Sequence, residues 1–153
     1  MRLRALAALV FLMINMPAYA ADRDERREVL ATVQRLFDAL AARDQAAVMA
    51  EVLSDGRITS HRVRDGNLTL RTTGWSEWAA SLSGVQETLE ERMHDPKVRI
   101  RGSMASVWTE YSFRRGGAFS HCGIDLVDLA KVDGRWRILN LSYTAETEGC
   151  RPR

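Results

Sequence analysis

The stretch AFSHCGIDLVDLAKVDGRWRILNLSYTA, residues 118–145, decides the fold of this chain. Apolar and polar residues alternate along it, which is the pattern of β-strands that bury one face. Asp133-Gly134 interrupts the alternation with a dipeptide that favours a tight hairpin turn. The stretch therefore predicts two long antiparallel strands joined at this turn.

The segments before this hairpin extend the predicted sheet. KVRIRG and MASVWTEYSFR are assigned to strands, and Gly116-Gly117 joins the second of them to the hairpin. RITSHRV and NLTLRTT flank Arg64-Asp65-Gly66, which predicts another tight hairpin, with His61 opposite Leu70. VQETLEERM is assigned to a strand, with a helix as the alternative because its alternation is imperfect, and His94-Asp95-Pro96 is expected to break it.

Helices precede the sheet and interrupt it. Apolar residues recur at helical spacing from Asp24 to Arg43, and Asp44 is placed to cap a second, shorter helix. GWSEWAASLSG predicts a third helix with Trp75 and Trp78 on one face, where they either line a cavity or fill it. This order of elements predicts one α+β domain.

The first twenty residues have the features of a signal peptide. Arg2 and Arg4 precede the apolar run ALAALVFLMINM, and Ala18-Tyr19-Ala20 has the small-x-small form of a signal-peptidase site. Because the run is too short to span a bilayer comfortably, no membrane anchor is expected. We expect cleavage near Ala20, which leaves residues 21–153 as a single periplasmic or secreted domain.

Cleavage changes the charge of the protein. The chain has 22 Lys and Arg against 20 Asp and Glu. The predicted signal peptide carries two of the arginines and no acid, so the mature protein has 20 of each and no formal net charge. A neutral domain without a basic run is a poor candidate for binding nucleic acid.

The cysteines, Cys122 and Cys150, are expected to form a disulfide, because an even pair in an oxidising compartment is most simply oxidised. A catalytic or metal-binding thiol is the alternative, but the sequence contains no CxxC. His61, His94 and His121 do not have a ligand spacing that predicts a metal site. No metal or cofactor is expected.

The turns also assign side chains to the two faces of the sheet, provided that no strand contains a bulge. Unbulged pairing places Ser112 opposite His121, and Asp125 opposite Trp108 and Ser142. One face then holds Met104, Trp108, Glu110, His121, Asp125, Val127, Leu129, Trp136, Ile138 and Asn140. The other holds Val107, Tyr111, Phe113, Cys122, Ile124, Leu126, Leu139, Leu141 and Tyr143. Because both faces are apolar, we expect helices to cover one and a second copy of the chain to cover the other.

The first of these faces carries the candidate site. Asp125 and His121 are the candidate acid–base groups, because such groups in an apolar lining can have shifted pKa values. The alternative is that they lie hydrogen-bonded and inactive at a wet edge of the sheet. The candidate ligand pocket also contains His61, Trp75, Trp78, Trp108, Glu110, Trp136, Ile138 and Asn140.

The elements and several motifs resemble the NTF2-like superfamily, which includes SnoaL-like cyclases and ketosteroid isomerases. The motifs are ERMHDPKVRIRG (91–102), SHCG (120–123) with Asp125, and DGRWRI (133–138), and the resemblance covers residues 24–150. It is closest to secreted bacterial members of unassigned function. It implies a cone in which N-terminal helices pack on a strongly curved antiparallel sheet.

The resemblance also implies an inward position for Asp125. In ketosteroid isomerases an Asp four residues before an apolar residue near the strand end donates a hydrogen bond to the developing oxyanion. Asp125, four residues before Leu129, matches that position. The isomerases' general-base Asp has no counterpart in this chain, where His61 lies in that neighbourhood instead. The tyrosine that their first helix contributes is also absent. Steroid isomerisation is therefore not expected.

Three functions remain open at this point. The first is binding of a small, largely apolar molecule in a cavity between helices and sheet. The second is an isomerase, cyclase or hydrolase that uses Asp125 and His121, with His61 assisting. The third is an assembly domain that acts as a homodimer through its outer sheet face.

Overall fold

The structure is a computed structural model that describes residues 16–150, with side chains from residue 21 onward. Its elements are α1 (Met16–Ala42), α2 (Gln45–Glu51), β1 (Arg57–Arg64), β2 (Asn67–Gly74), α3 (Trp75–Ser81), a 3₁₀ turn (Leu82–Gly84), β3 (Leu89–Arg101), β4 (Met104–Arg115), β5 (Ala118–Val132) and β6 (Arg135–Thr144). The predicted signal peptide, residues 1–20, lies outside the described side chains, and its cleavage stays a prediction. No helix in the described range is long and apolar enough to span a membrane.

The strands form one six-stranded sheet in the order β2-β1-β6-β5-β4-β3. The α+β class and the cone-type architecture are confirmed. The sheet is mixed rather than antiparallel throughout, because β1 runs parallel to β6. This pairing brings the β1–β2 hairpin beside the end of the chain's last strand.

Helix α1 covers one face of the sheet, which we call the inner face. Its stripe of Val29, Val33, Leu36 and neighbouring residues is buried in a single core with the inner residues of the strands. The predicted cap is confirmed, since Asp44 Oδ1 accepts a hydrogen bond from the Ala47 amide at 3.0 Å. Apolar burial of this kind is the main source of stability in a domain of this size.

Trp75, the first residue of α3, is fully buried and helps to fix the chain between α2 and β1. Its indole Nε1 donates to the Leu139 carbonyl oxygen at 2.8 Å. A Cβ at Gly56 would come within 1.6 Å of that same oxygen. Only glycine therefore allows the backbone to approach this closely.

The hairpin turns are confirmed, but three strand pairings contain a bulge. The first lies at Ser120, so that His121 pairs with Phe113 rather than with Ser112. The second lies at Leu139, so that Asp125 pairs with Tyr143 rather than with Ser142. The third keeps β3 continuous through His94-Asp95-Pro96, where a break was predicted.

The bulges correct the predicted faces, because each moves the residues beyond it to the opposite side of the sheet. Met104, Trp108, Glu110 and Asn140 lie on the outer face, and their predicted placement beside Asp125 is wrong. The inner face instead gains Val107, Tyr111, Phe113, Leu141 and Tyr143, which were predicted on the outer face.

The corrected outer face is mostly polar, with Met104 and Trp108 exposed by 66% and 53%. The predicted homodimer through this face stays a prediction, for which sedimentation velocity of the protein is the measurement.

The predicted disulfide is confirmed. Cys122 and Cys150 are joined, with 5.8 Å between their Cα atoms. Two backbone hydrogen bonds between Cys122 and Glu146, at 2.8 and 3.0 Å, hold the same tail against β5. The bridge thus fastens the segment after β6 to the outer side of the sheet.

Candidate functional site

A cavity of about 330 Å³ lies between the helices and the inner face of the sheet. We call it the cavity. The helices contribute both aliphatic and aromatic side chains to its wall, among them Leu36, Phe37 and Trp78, and the strands add the rings of Tyr111, Phe113 and Tyr143. The volume falls at the lower end of the range of small-molecule sites in proteins.

The innermost polar groups of this region are two carboxyl groups, Glu91 on β3 and Asp125 on β5, which we call the carboxyl pair. Asp125 is completely buried, and neither of its carboxyl oxygens accepts a hydrogen bond from an N–H or hydroxyl donor of the described residues. The two carboxyl groups are nevertheless in hydrogen-bonding contact. Two carboxyl groups can share a hydrogen bond only when one of them is protonated. This contact therefore needs a proton on one of the two carboxyl groups.

The pKa values of the pair agree with that requirement. Burial raises the pKa of Asp125 to about 7, although the hydrogen bond from Glu91 opposes the shift. Burial, and next the negative charge of Asp125, hold the pKa of Glu91 well above its usual range. Glu91 faces the cavity, whereas Asp125 lies behind it. Of the two, Glu91 is the group that a bound molecule would touch.

Tyr111 packs beside the pair but has its hydroxyl group already engaged. The hydroxyl donates to the Thr144 carbonyl oxygen at 2.7 Å. Burial, and then the charges of Glu91 and Asp125, raise the pKa of Tyr111. It therefore stays protonated and serves as a wall and an anchor rather than as a free donor.

Gly123, which lies between His121 and Asp125 on β5, is required by this anchor. A Cβ at Gly123 would come within 2.1 Å of the Thr144 carbonyl oxygen. Because Gly123 has no side chain, the end of β6 can approach β5 closely, and the Thr144 carbonyl oxygen can accept the hydrogen bond from the Tyr111 hydroxyl.

His121 lies at another part of the cavity wall. Its ring stacks on Phe113, with centroids 4.8 Å apart, and hydrogen-bonds to Ser120 through Nδ1 at 3.0 Å. Burial, and then the positive charge of Arg62, lower the pKa of His121. His121 lies four positions before Asp125 on β5, which is about 13 Å of strand. The catalytic roles of these two residues stay a prediction, and the carboxyl group in contact with Asp125 is that of Glu91.

The other predicted pocket residues fall into three groups. Trp78 lines the cavity as predicted. Trp75, Trp136 and Ile138 are on the inner side but belong to the packed core, with Trp136 Nε1 donating to Glu25 at 2.8 Å. The remaining ones lie away from the cavity, on the outer face: His61, Trp108, Glu110 and Asn140. His61 pairs with Leu70 as predicted, yet the face they share is solvent-exposed, since Leu70 is 56% exposed.

The sequence prediction missed Glu91, Arg62 and Tyr143 as cavity residues. A signal for Glu91 exists, since it alternates with Leu89 and Met93 on one side of β3 and so places a carboxyl group on an apolar face. No comparable sequence signal marks Arg62. Whether its side chain points to the cavity depends on which side of the β1–β2 hairpin faces the helices.

Comparison with known proteins gives a consistent fold. A family model described as "Putative lumazine-binding" matches residues 24–144. An NTF2-like protein with a cystatin-like fold from Novosphingobium aromaticivorans has a TM-score of 0.69 at 16% identity, over 89% of this chain and 90% of that one. An NTF2-like protein from Cytophaga hutchinsonii has a TM-score of 0.66 at 18% identity, over 79% and 98%.

A third structure, described as a "Putative Scytalone Dehydratase" from Novosphingobium aromaticivorans, has a TM-score of 0.69 at 11% identity, over 88% of this chain and 93% of that one. No curated protein sequence matches the chain. At these identities the solved structures show a shared fold and leave the ligand to be inferred from the site.

Proposed function

The chain belongs to the lumazine-binding-like family of the NTF2-like superfamily, and from this premise we propose that it binds a small, largely apolar molecule in the cavity. The observation that carries the proposal is the cavity itself, about 330 Å³ of space walled by aliphatic and aromatic side chains. An apolar pocket with few convergent polar groups is the usual form of a small-molecule site.

The polar groups indicate what the molecule carries. A protonated carboxyl pair can donate one hydrogen bond to a carbonyl or hydroxyl oxygen, and Glu91 is positioned to meet that oxygen. The Phe113–His121 stack and the ring of Tyr143 offer faces for a planar ring. A planar, mostly apolar molecule with an oxygen at one end fits both features. Lumazine, after which the family is described, is planar and carries carbonyl oxygens, although its nitrogen-rich rings are more polar than such a molecule.

The neutral fluorescent probe N-phenyl-1-naphthylamine is expected to bind and to be displaced by lumazine. Val85 lines the cavity, so Val85→Trp should fill part of the space and weaken probe binding by about tenfold or more. Val132→Trp makes the same change at an exposed position outside the cavity and should leave the affinity unchanged. Fluorescence titration measures the affinity of the probe for the original protein and for the two variants.

Absence of probe binding to the folded protein would contradict the proposal. Equal losses in Val85→Trp and Val132→Trp would also contradict it, because they would place the probe elsewhere.

The carboxyl pair favours a second candidate, an acid–base enzyme that uses the same cavity. A carboxyl group whose pKa lies near neutrality can give a proton and take it back at physiological pH. Glu91 would exchange the proton with the bound molecule, and Asp125 would set its protonation state. The description of one structural relative as a dehydratase is compatible with such chemistry.

Glu91→Gln separates the two candidates. Gln keeps a hydrogen-bond donor of similar size but cannot transfer a proton, so a binding protein should retain probe and ligand affinity within about threefold. An enzyme should keep that affinity and lose turnover of the bound molecule, typically by 10²–10⁴-fold. Mass spectrometry of a ligand incubated with each protein gives the readout, and unchanged turnover in Glu91→Gln would rule out this enzyme.

A further inference from the structure

A second space, of about 630 Å³, adjoins the cavity beneath the β1–β2 hairpin. The two spaces share Ile58, Arg62, Trp78, Arg115 and Tyr143 as lining residues. The two spaces are therefore adjacent. We call it the arginine pocket.

The hairpin that forms the arginine pocket has an inverted polarity. On β2 the apolar residues Leu68 and Leu70 are exposed on the outer side, by 59% and 56%. The inner side carries Thr69 and Arg71, which are also exposed, and Thr73, which is half-buried. A strand ordinarily places its apolar residues toward the core and its polar ones toward solvent. The inner side of β2 therefore adds little to the packed core, and its polar side chains are accessible from the space beneath the hairpin.

The charges of the arginine pocket are mostly positive. Its lining contains Arg62, Arg71 and Arg115 against one described acid, Glu77. Arg115 is held by Glu87, with Nε and Oε1 3.0 Å apart. Arg62 and Arg71 make no ion pair or side-chain hydrogen bond with any described residue.

Arg62 and Arg71 are also close enough to act together. They lie on neighbouring strands and point to the same side of the hairpin. Arg71 pairs with Ser60, and Arg62 pairs with Thr69, so the two arginines are diagonal neighbours. Diagonal positions of this kind lie within reach of long side chains. Two unpaired guanidinium groups flanked by hydroxyl groups form a set of donors that suits an oxyanion.

We infer that the arginine pocket binds an anionic group on the same molecule whose apolar part occupies the cavity. The ligand is then an amphipathic anion, with an apolar body against the aromatic wall and a carboxylate, sulfonate or phosphate held by Arg62 and Arg71. This inference rests on the proposed function and narrows its ligand class. The excess of positive charge is local to this pocket, because the predicted mature protein as a whole has no formal net charge.

A matched pair of fluorescent probes tests the inference. 8-Anilinonaphthalene-1-sulfonate carries the same anilinonaphthalene body as N-phenyl-1-naphthylamine, with an added sulfonate. We expect the sulfonate probe to bind more tightly, and the double change Arg62→Gln and Arg71→Gln to remove that advantage with a loss of about tenfold. Arg99→Gln, on the outer face of β3, changes the net charge without touching the pocket and should have no effect.

Competition then identifies the kind of anion. 1-Naphthoate, 1-naphthyl phosphate and the neutral 1-naphthol share one ring system and differ in the group that would reach the arginines. The anion that the pocket favours should displace the sulfonate probe most strongly, and its advantage over 1-naphthol should fall in the double variant and on addition of salt.

The outcomes separate this inference from the proposed function. Failure of the neutral probe to bind would overturn both. Equal binding of neutral and sulfonated probes, or a sulfonate advantage that survives the double change, would overturn the inference alone. An equal loss in Arg99→Gln would also overturn it, since the effect would then come from overall charge.

Discussion

Asp125→Asn is expected to stabilise the protein by about 4 kcal/mol at pH 8 and to change its stability little near pH 4. Burial raises the pKa of Asp125 from 3.8 to about 7 in the folded protein. The folded state therefore holds the proton more tightly than the unfolded state does. The stability that this proton provides is fully present below pH 3.8 and is lost as the pH rises through 7.

The neutral amide of Asn removes that dependence. It occupies nearly the same volume, does not ionise, and can donate a hydrogen bond to Glu91. It also removes the negative charge that raises the pKa of Glu91, so part of the penalty on the second carboxyl group disappears as well. Both effects act in the same direction.

Urea unfolding between pH 4 and pH 8 measures this difference in free energy. Asp128→Asn is the matched control, because Asp128 lies on the same strand but on the outer face. It should shift the stability little at any pH. Parallel pH curves for the original protein and for Asp125→Asn would contradict the account, because they would show that Asp125 titrates normally.

Loss of the disulfide is expected to destabilise the oxidised protein by roughly 3 to 4 kcal/mol, which is the chain-entropy value for a loop of about 29 residues. Cys122→Ser and Cys150→Ser each open the same loop, whose ends are 28 positions apart in sequence. Their effects should therefore be similar, and the double variant should lose little more than either single variant.

Chemical unfolding of the single and double variants, without reductant, gives the required values. The original protein with reductant serves as the control, since reduction should reproduce the loss without any change of sequence. Clearly additive losses would contradict the account, because independent effects are expected only when the two residues do not share a bond.

The turns and helices could be predicted from the sequence because their signals are local. The Asp65-Gly66 and Asp133-Gly134 turns fix the strand register next to them, and Asp44 caps α2 through its own side chain. The bulges were not predictable in this way. That at Leu139 accompanies a hydrogen bond from Trp75, 64 positions away in the sequence, to the Leu139 carbonyl oxygen.

The site was predicted only where a strand kept its register. On β5 the inward positions of His121 and Asp125 follow from alternation and are confirmed. The bulge at Ser120 shifts the pairing of β4 with β5, so Trp108 and Glu110 lie on the outer face and the predicted neighbours of Asp125 were wrong. A shift of one residue in the register moves every side chain of a strand to the opposite face. The residues that adjacent strands contribute to a site are therefore the hardest to predict from sequence.

Glu91 shows what a single sequence leaves undetermined. Its partner Asp125 is 34 positions away on a strand that is not adjacent, and β4 lies between them in the sheet. Contact between side chains on β3 and β5 requires that the sheet curve around the inner side. Alternation of residue types along a strand carries no information on that curvature.

The most direct test of the account is a crystal structure of the protein with 6-bromo-2-naphthol, a planar apolar molecule with one hydroxyl group. Anomalous scattering locates the bromine without relying on the shape of the density. The account predicts bromine inside the cavity, against Phe113 and Tyr143, with the hydroxyl oxygen within hydrogen-bonding distance of Glu91. Bromine bound only on the outer face beside Trp108, with Trp78 filling the cavity, would contradict it.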